Sequence, residues 1–293
     1  MLAVTAHSFT LLDGGMGKAL QAQGAPFRQP EWSALALMED PPSVEAAHRG
    51  FIDAGADVVI TNNYAVVPFH LGRDRFGALA TELCALSARL ARAAGEATVA
   101  GSLPPLYGSY EPDLFDPTRA PSDLQRIADA LAPNIDLFLC ETQSSLDEAL
   151  HSIRAAQTYE HPVWVSYTLL EDTVEGTARL RSGERVTDAA ALAADHGAEA
   201  VLFNCSRPEV MGVAIDEASA ALDGSIEVGA YANSFLDKEE GYAANEVILG
   251  HRPDLDPAGY LQFVENWLER GATIVGGCCG IMAEHIAAID ALR

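Results

Sequence analysis

The sequence predicts an α/β protein built as a single (β/α)8 TIM barrel, one domain spanning residues 1–293. Three observations predict it. Short apolar runs rich in β-branched residues occur eight times, each run is followed by a longer segment of helical period, and polar or sulfur-bearing residues gather just beyond the runs. In order, the runs are FTLL (Phe9–Leu12), DVVIT (Asp57–Thr61), TVAGS (Thr98–Ser102), LFLCE (Leu137–Glu141), VWVSYTL (Val163–Leu169), AVLFN (Ala200–Asn204), EVGAY (Glu227–Tyr231) and TIVG (Thr273–Gly276). Apolar residues at helical spacing mark Ser43–Ala54, Gly77–Ala94, Ser122–Ala132, Leu146–Thr158, Asp188–His196, Pro208–Leu222, Pro257–Arg270 and Ala283–Leu292. Strand then helix, repeated eight times, is the pattern of a parallel sheet with right-handed crossovers. Eight units in 293 residues fit one closed barrel better than two domains.

Composition narrows the classes. Hydrophobic residues make up 49% and the mean hydropathy is +0.07, which suits a globular enzyme and excludes a disordered chain. No apolar run approaches the roughly 20 residues of a membrane helix. MLAVTAHSFTLLDGG lacks a basic region and a small-residue cleavage site, so a cytoplasmic location is expected. Five cysteines are an odd number without the density of a disulfide scaffold, which favours reduced thiols. A net charge of −24 disfavours nucleic acid and anionic membranes as partners. Only Lys18 and Lys238 occur, and neither lies in a strand-like run, which argues against Schiff-base chemistry.

A barrel places functional residues just after its strands. Asp13 follows the first run, Thr61-Asn62-Asn63 the second, Glu141-Thr142 the fourth, Asn204-Cys205 the sixth and Cys278-Cys279 the eighth. Thiolates are soft ligands that hold zinc, and three of them leave a tetrahedral ion one open position, the mark of a catalytic site. Cys205, Cys278 and Cys279 are therefore the candidate zinc ligands. Adjacent residues of a flat strand face opposite ways, so GGCCG must bend for both thiolates to reach one ion, and its glycines permit the bend. Two packed apolar cysteines or a vicinal disulfide are the other readings of the pair. Cys84, in a helical pattern, and Cys140, next to inward-facing Glu141, read as inert packing.

LLDGGMGKAL is neither a dinucleotide fingerprint nor a P-loop, because Leu20 replaces the third small residue and Ala19 follows Lys18. A tight turn remains, whose Gly14 and Gly15 N–H groups would hold a small carboxylate. Asp13 and Glu141 would accept from an ammonium, which together suits an α-amino acid. Each alone also reads as a salt-bridge or helix-cap partner. None of the eight histidines falls immediately after a run, and His251 and His285 read as surface or packing residues.

LLDGG, EWSALAL, GFIDAGADVVITNNY, CET, FNCS and GATIVGGCCG resemble the homocysteine S-methyltransferase family, from about Leu11 to the end of the chain. The resemblance implies a zinc barrel that transfers a methyl group to the thiol of homocysteine, giving methionine. By position it implies Cys205, Cys278 and Cys279 as metal ligands, and Asp13 and Glu141 as homocysteine-binding acids. Gly14, Gly15, Thr61 and Asn204 complete the implied pocket. No corrinoid-binding module accompanies the barrel, so the expected donor is a free small molecule, S-methylmethionine or S-adenosylmethionine ahead of betaine. Tyr107, Tyr110, Tyr167 and Trp32 are candidates to meet a cationic donor by cation–π contact, and each alone also reads as a packing residue. A zinc barrel for another thiol or selenol acceptor, and a non-catalytic zinc or redox-sensing protein, are the rival readings. A homo-oligomer is compatible with all three.

Overall fold

The computed structural model describes residues 8–236 and 250–293, so Lys238 lies outside the described residues. Among the described residues eight strands occur: Thr10–Leu11 (β1), Val58–Ile60 (β2), Thr98–Leu103 (β3), Leu137–Gln143 (β4), Val163–Tyr167 (β5), Ala200–Asn204 (β6), Glu227–Tyr231 (β7) and Ile274–Val275 (β8). They form one parallel sheet in the order β1-β8-β7-β6-β5-β4-β3-β2. A parallel bridge from Leu12 to Val58, with Asp13 N–H donating to the Val58 carbonyl at 3.0 Å, joins the two ends of that order. The sheet is thereby a closed (β/α)8 barrel, as the alternation predicts.

The crossover helices are Pro41–Asp53, Arg73–Ala93, Ala120–Leu131, Leu146–Ala156, Val186–Asp195, Pro208–Leu222, Pro257–Glu269 and Ala283–Asp290. Each lies on its expected segment, with ends that differ by a few residues. Three short helices, Met16–Ala22, Ala34–Glu39 and Pro68–Leu71, are additions that the periodicity did not reveal. At seven, six and four residues they are too short for a helical stripe to stand out.

Alternation along the strands sorts the core into two layers. Leu137 and Leu139 of β4, Ala200 and Leu202 of β6, and Leu12, Val58, Ala100, Trp164, Tyr231 and Ile274 fill the barrel interior. Phe138, Cys140, Val201 and Phe203 point the other way, into the helix layer. Glu141 and Asn204 continue the inward-facing series at the upper ends of β4 and β6, which is why those side chains reach the barrel mouth. β4 also shifts register between Cys140 and Gln143, and Thr142 within that irregularity has φ +58°. Bulges of this kind re-aim side chains beside functional sites. Among the described residues no helix is long and apolar enough to cross a membrane.

Candidate functional site

A cavity of about 540 Å³ opens at the C-terminal ends of the strands. Its floor is formed by Asp13, Glu141, Cys205, Cys278 and Cys279; its walls include Phe27, Trp32, Tyr110 and Phe235. The volume is within the usual range for a site that encloses small molecules. Four of its lining residues hold the left-handed backbone that favours glycine: Trp32 (φ +50°), Tyr110 (+67°), Thr142 (+58°) and Cys205 (+50°). Backbone strain of this kind persists where surrounding structure enforces it, and functional sites are where it collects.

Cys205 stands 74 residues before Cys279 in the chain, yet the fold joins it to the adjacent cysteine pair. Cys205 Sγ lies 3.9 Å from Cys279 Sγ, Cys278 Sγ lies 4.0 Å from Cys279 Sγ, and all three sulfurs fall within 4.8 Å of one another. A single metal ion can be shared by atoms so placed. The bend that GGCCG requires is present. β8 ends at Val275, and the Cys278 N–H then donates to the Ala232 carbonyl at 2.9 Å while Ser234 N–H donates to the Cys279 carbonyl at 2.9 Å. The loop after β7 therefore holds the cysteine loop in shape. Gly280 closes the bend with φ +86°, and a Cβ there would lie 2.1 Å from Ser234 Oγ. Hydrogen bonds among the three thiols draw Cys279 well below the ordinary thiol range and push Cys278 well above it. In that cluster one thiol ionises readily and the others resist.

The acidic pair sits beside the sulfurs. Asp13 is 2% exposed; its Oδ2 accepts from Ile60 N–H at 2.9 Å, and its Oδ1 is buried with no partner. Glu141 Oε2 accepts from the Ser102 hydroxyl at 2.6 Å. Burial, reinforced by Glu141, raises the Asp13 carboxyl well above the carboxylate range. Burial pushes Glu141 up to about 7 against the lowering effect of Ser102. Two desolvated carboxyls with an unmet acceptor make a receptor for a cation, and a buried acceptor left unpaired costs about 1–3 kcal/mol.

The remaining expected residues divide. Gly14, Gly15 and Thr61 line the cavity. Gly15, however, donates its N–H to the Ile281 carbonyl at 2.7 Å, so it is not free to hold a carboxylate. Its glycine is required by packing: a Cβ would lie 2.7 Å from the Cys278 carbonyl oxygen and 2.8 Å from Gly280 N. Thr61 gives its hydroxyl proton to Asn63 Oδ1 at 2.6 Å and accepts from Ser102 N–H at 3.0 Å. Asn204 is fully buried and is not among the lining residues; its amide donates to Thr142 Oγ1 at 2.8 Å, accepts from Ser166 at 2.8 Å and touches Cys278 Sγ at 4.0 Å. Its place is that of a support for the cysteine loop. Cys84 and Cys140 are buried elsewhere and burial raises both thiols, in keeping with packing.

Of the four aromatics considered for a donor, Trp32 and Tyr110 line the cavity. Tyr107 instead donates to Asp123 at 3.0 Å, and Tyr167 points into the helix layer and donates to the Ala189 carbonyl at 3.1 Å. His285 is used by Met282 N–H and the Leu255 carbonyl, both at 3.1 Å, a packing role. His251 reaches the cavity rim, stacked on Phe235 at 5.6 Å. The sequence reading missed Tyr64, His70, Glu171, Arg181 and Arg207, which also line the cavity. They stand on the segments after β2, β5 and β6, His70 on the short helix Pro68–Leu71, several residues beyond the runs, where strand-end counting gives no signal.

The chain is similar to known proteins along nearly its whole length. The family model described as homocysteine S-methyltransferase matches residues 10–292. A homocysteine S-methyltransferase of Escherichia coli is 28% identical, over 96% of this chain and 94% of that protein. Homocysteine S-methyltransferase 1 of Zea mays is 26% identical, over 99% and 95%. The solved homocysteine methyltransferase MmuM of Escherichia coli, in its metallated form, superposes with a TM-score of 0.79 at 25% identity, covering 98% of this chain and 96% of that one. A barrel whose mouth joins three cysteines to an acidic pair, matched along nearly its whole length by that one model, belongs to the homocysteine S-methyltransferase family.

Proposed function

We propose that the protein is a zinc-dependent methyltransferase that moves a methyl group from a small sulfonium or quaternary ammonium donor to homocysteine, forming methionine. The observation that carries this reading is the meeting of Cys205, Cys278 and Cys279 on the cavity floor beside the unpartnered Asp13 Oδ1. The sulfur spacings of 3.9 and 4.0 Å suit zinc, because bonds of about 2.3 Å at tetrahedral angles separate two sulfurs by about 3.8 Å. Thiolates also favour zinc over oxygen-seeking ions. Held by these three cysteines, zinc supplies an open position at which a substrate thiol loses its proton.

The residues of the chain do the rest. Asp13 and Glu141 take the homocysteine ammonium and so fix the direction of its side chain toward the cysteines. Asn204, through its contact with Cys278, keeps the ligand loop in register. The homocysteine sulfur then forms a bond to the donor methyl carbon, and the donor's own bond to that carbon breaks with its electron pair returning to the donor heteroatom. The donor leaves neutral at that atom, as a thioether or a tertiary amine. Reacting atoms need to be held about 3–3.5 Å apart, a task for the cavity walls, where Trp32 and Tyr110 offer aromatic faces to a cation. Residues 1–293 act in this reading as one homocysteine-binding domain, and its reduced cysteines suit the cytoplasm.

The test is direct. Purified, zinc-loaded protein is incubated with homocysteine and, in turn, S-methylmethionine, S-adenosylmethionine and betaine, with methionine followed by mass spectrometry. Methionine formation from at least one donor, lost when zinc is removed and regained when it is restored, is expected. No methionine from any donor at full zinc loading defeats the proposal.

A further inference from the structure

Among the described residues three cationic side chains line the cavity, and two of them are already neutralised. Arg181 pairs with Glu171 and lies over the Tyr110 ring at 4.9 Å. Arg207 stands 3.7 Å from Asp172, and its backbone N–H donates to Glu171 at 3.0 Å. Lys18 is different. It is half-buried at the cavity wall, and among the described residues no carboxylate lies within ion-pair reach of its ammonium. A half-desolvated cation beside an acidic floor, in a chain of net charge −24, would be expected to collect one of the many acids available. It is instead left facing the space that a ligand would occupy.

We infer that Lys18 is the anchor for the carboxylate of the methyl donor. The inference rests on the methyl-transfer reading above, which fixes where each substrate lies. Homocysteine, with its ammonium at Asp13 and Glu141 and its sulfur at the cysteines, covers the floor at the strand ends. The donor must present its methyl to that sulfur from the mouth side, so its opposite end lies against the upper wall. Lys18 belongs to that wall: it follows the Gly14-Gly15 turn by a helical turn, on Met16–Ala22, near His251 of the rim. Phe27, which also lines the cavity, stands 3.1 Å from where a Cβ on the preceding Gly17 would lie. An apolar wall carrying one ammonium matches a donor whose cationic head is buried and whose carboxylate is held at the rim. A point charge such as lysine binds a carboxylate without demanding a single geometry, which leaves the methyl free to align with the attacking sulfur.

The experiment compares S-methylmethionine with its neutral carboxamide in zinc-loaded wild type, Lys18→Met and Lys18→Arg. The ratio of kcat/KM for acid over amide is expected to fall at least tenfold in Lys18→Met, through KM, and to return to within about threefold of wild type in Lys18→Arg. The KM for homocysteine is expected to stay within twofold in both variants, with equal zinc content. An unchanged ratio, an equal loss on acid and amide, or a rise confined to the homocysteine KM overturns the assignment. Calorimetric titration of the two donor forms separates this from failure of the functional reading. Should wild type bind S-methylmethionine while turning over none of the three donors, the methyl-transfer reading fails, and the acid-over-amide ratio of Kd values still decides Lys18. Absence of binding and of turnover with every donor overturns the two together.

Discussion

Asp13→Asn isolates the charge on the cavity floor with little change of shape. The asparagine carbonyl retains the bond from Ile60 N–H that Asp13 Oδ2 now accepts at 2.9 Å, so the turn after β1 keeps its anchor. What is lost is the acceptor at Oδ1, buried and without a protein partner, which becomes an anion when an ammonium replaces the proton that burial favours. A hydrogen bond to a charged group contributes about 1.5–3 kcal/mol. Glu141 remains to share the ammonium, which puts the expected loss near 2 kcal/mol, or roughly 30-fold in the Kd for homocysteine. Isothermal titration of zinc-loaded wild type and variant measures it, with metal analysis and thermal unfolding alongside. Zinc content is expected to stay at one per chain. A Kd within threefold of wild type, or a loss of affinity that only follows a loss of zinc, refutes the reasoning.

Other consequences follow from the same geometry. Burial pushes Glu141 to about 7, so below that pH the free protein carries it protonated and must release the proton to accept an ammonium. Homocysteine affinity should then fall as pH drops below about 7, by up to tenfold per unit, and Glu141→Gln should remove that portion of the dependence; parallel pH profiles for the two proteins would argue against it. Cys278→Ala should reduce bound zinc below one tenth of the wild-type content while leaving the far-ultraviolet circular dichroism spectrum unchanged, and undiminished zinc would exclude Cys278 as a ligand. Gly15→Ala should weaken zinc binding at least tenfold, because its Cβ would lie 2.7 Å from the Cys278 carbonyl, an approach that only movement of the cysteine loop relieves; competition with a chromogenic chelator measures the shift. His48 is wholly buried with both ring nitrogens unpartnered, and burial pushes it down to about 4 from 6.5. The unfolded chain thus takes up its proton at the higher pH, so stability is whole above about 6.5 and declines by up to ~3 kcal/mol as pH falls toward 4. In urea melts His48→Leu should flatten this decline, and an identical slope in the two proteins would count against it.

The barrel was legible because its signals are local. Strand runs such as DVVIT and AVLFN alternate with helix-period segments, and a parallel sheet with crossovers is the solution that buries both. The cysteines were legible because strand ends in such a barrel share one rim, so Cys205 and the Cys278-Cys279 pair converge although far apart in the chain. The outcome for Gly15 and Asn204 was not. Whether an N–H or an amide is free depends on long-range partners, Ile281 for one and Thr142 and Ser166 for the other, and no periodicity reports them. Tyr107 and Tyr167 misled for a related reason: an aromatic residue near a strand end carries no mark of which side of the wall it faces. His70, on a short helix, and Arg181, on a loop, arrive along paths set by packing, and spacing from the strand does not encode those paths.

The left-handed residues around the mouth bear on how far this protein can be made more robust. At Trp32 or Tyr110 a glycine would relieve a conformation that costs other residues about 1 kcal/mol or more. Thermal selection alone would therefore tend to erode these positions first, exchanging a braced aperture for a slack one. Screening for heat resistance without a simultaneous demand for turnover would drift toward hardy but idle variants.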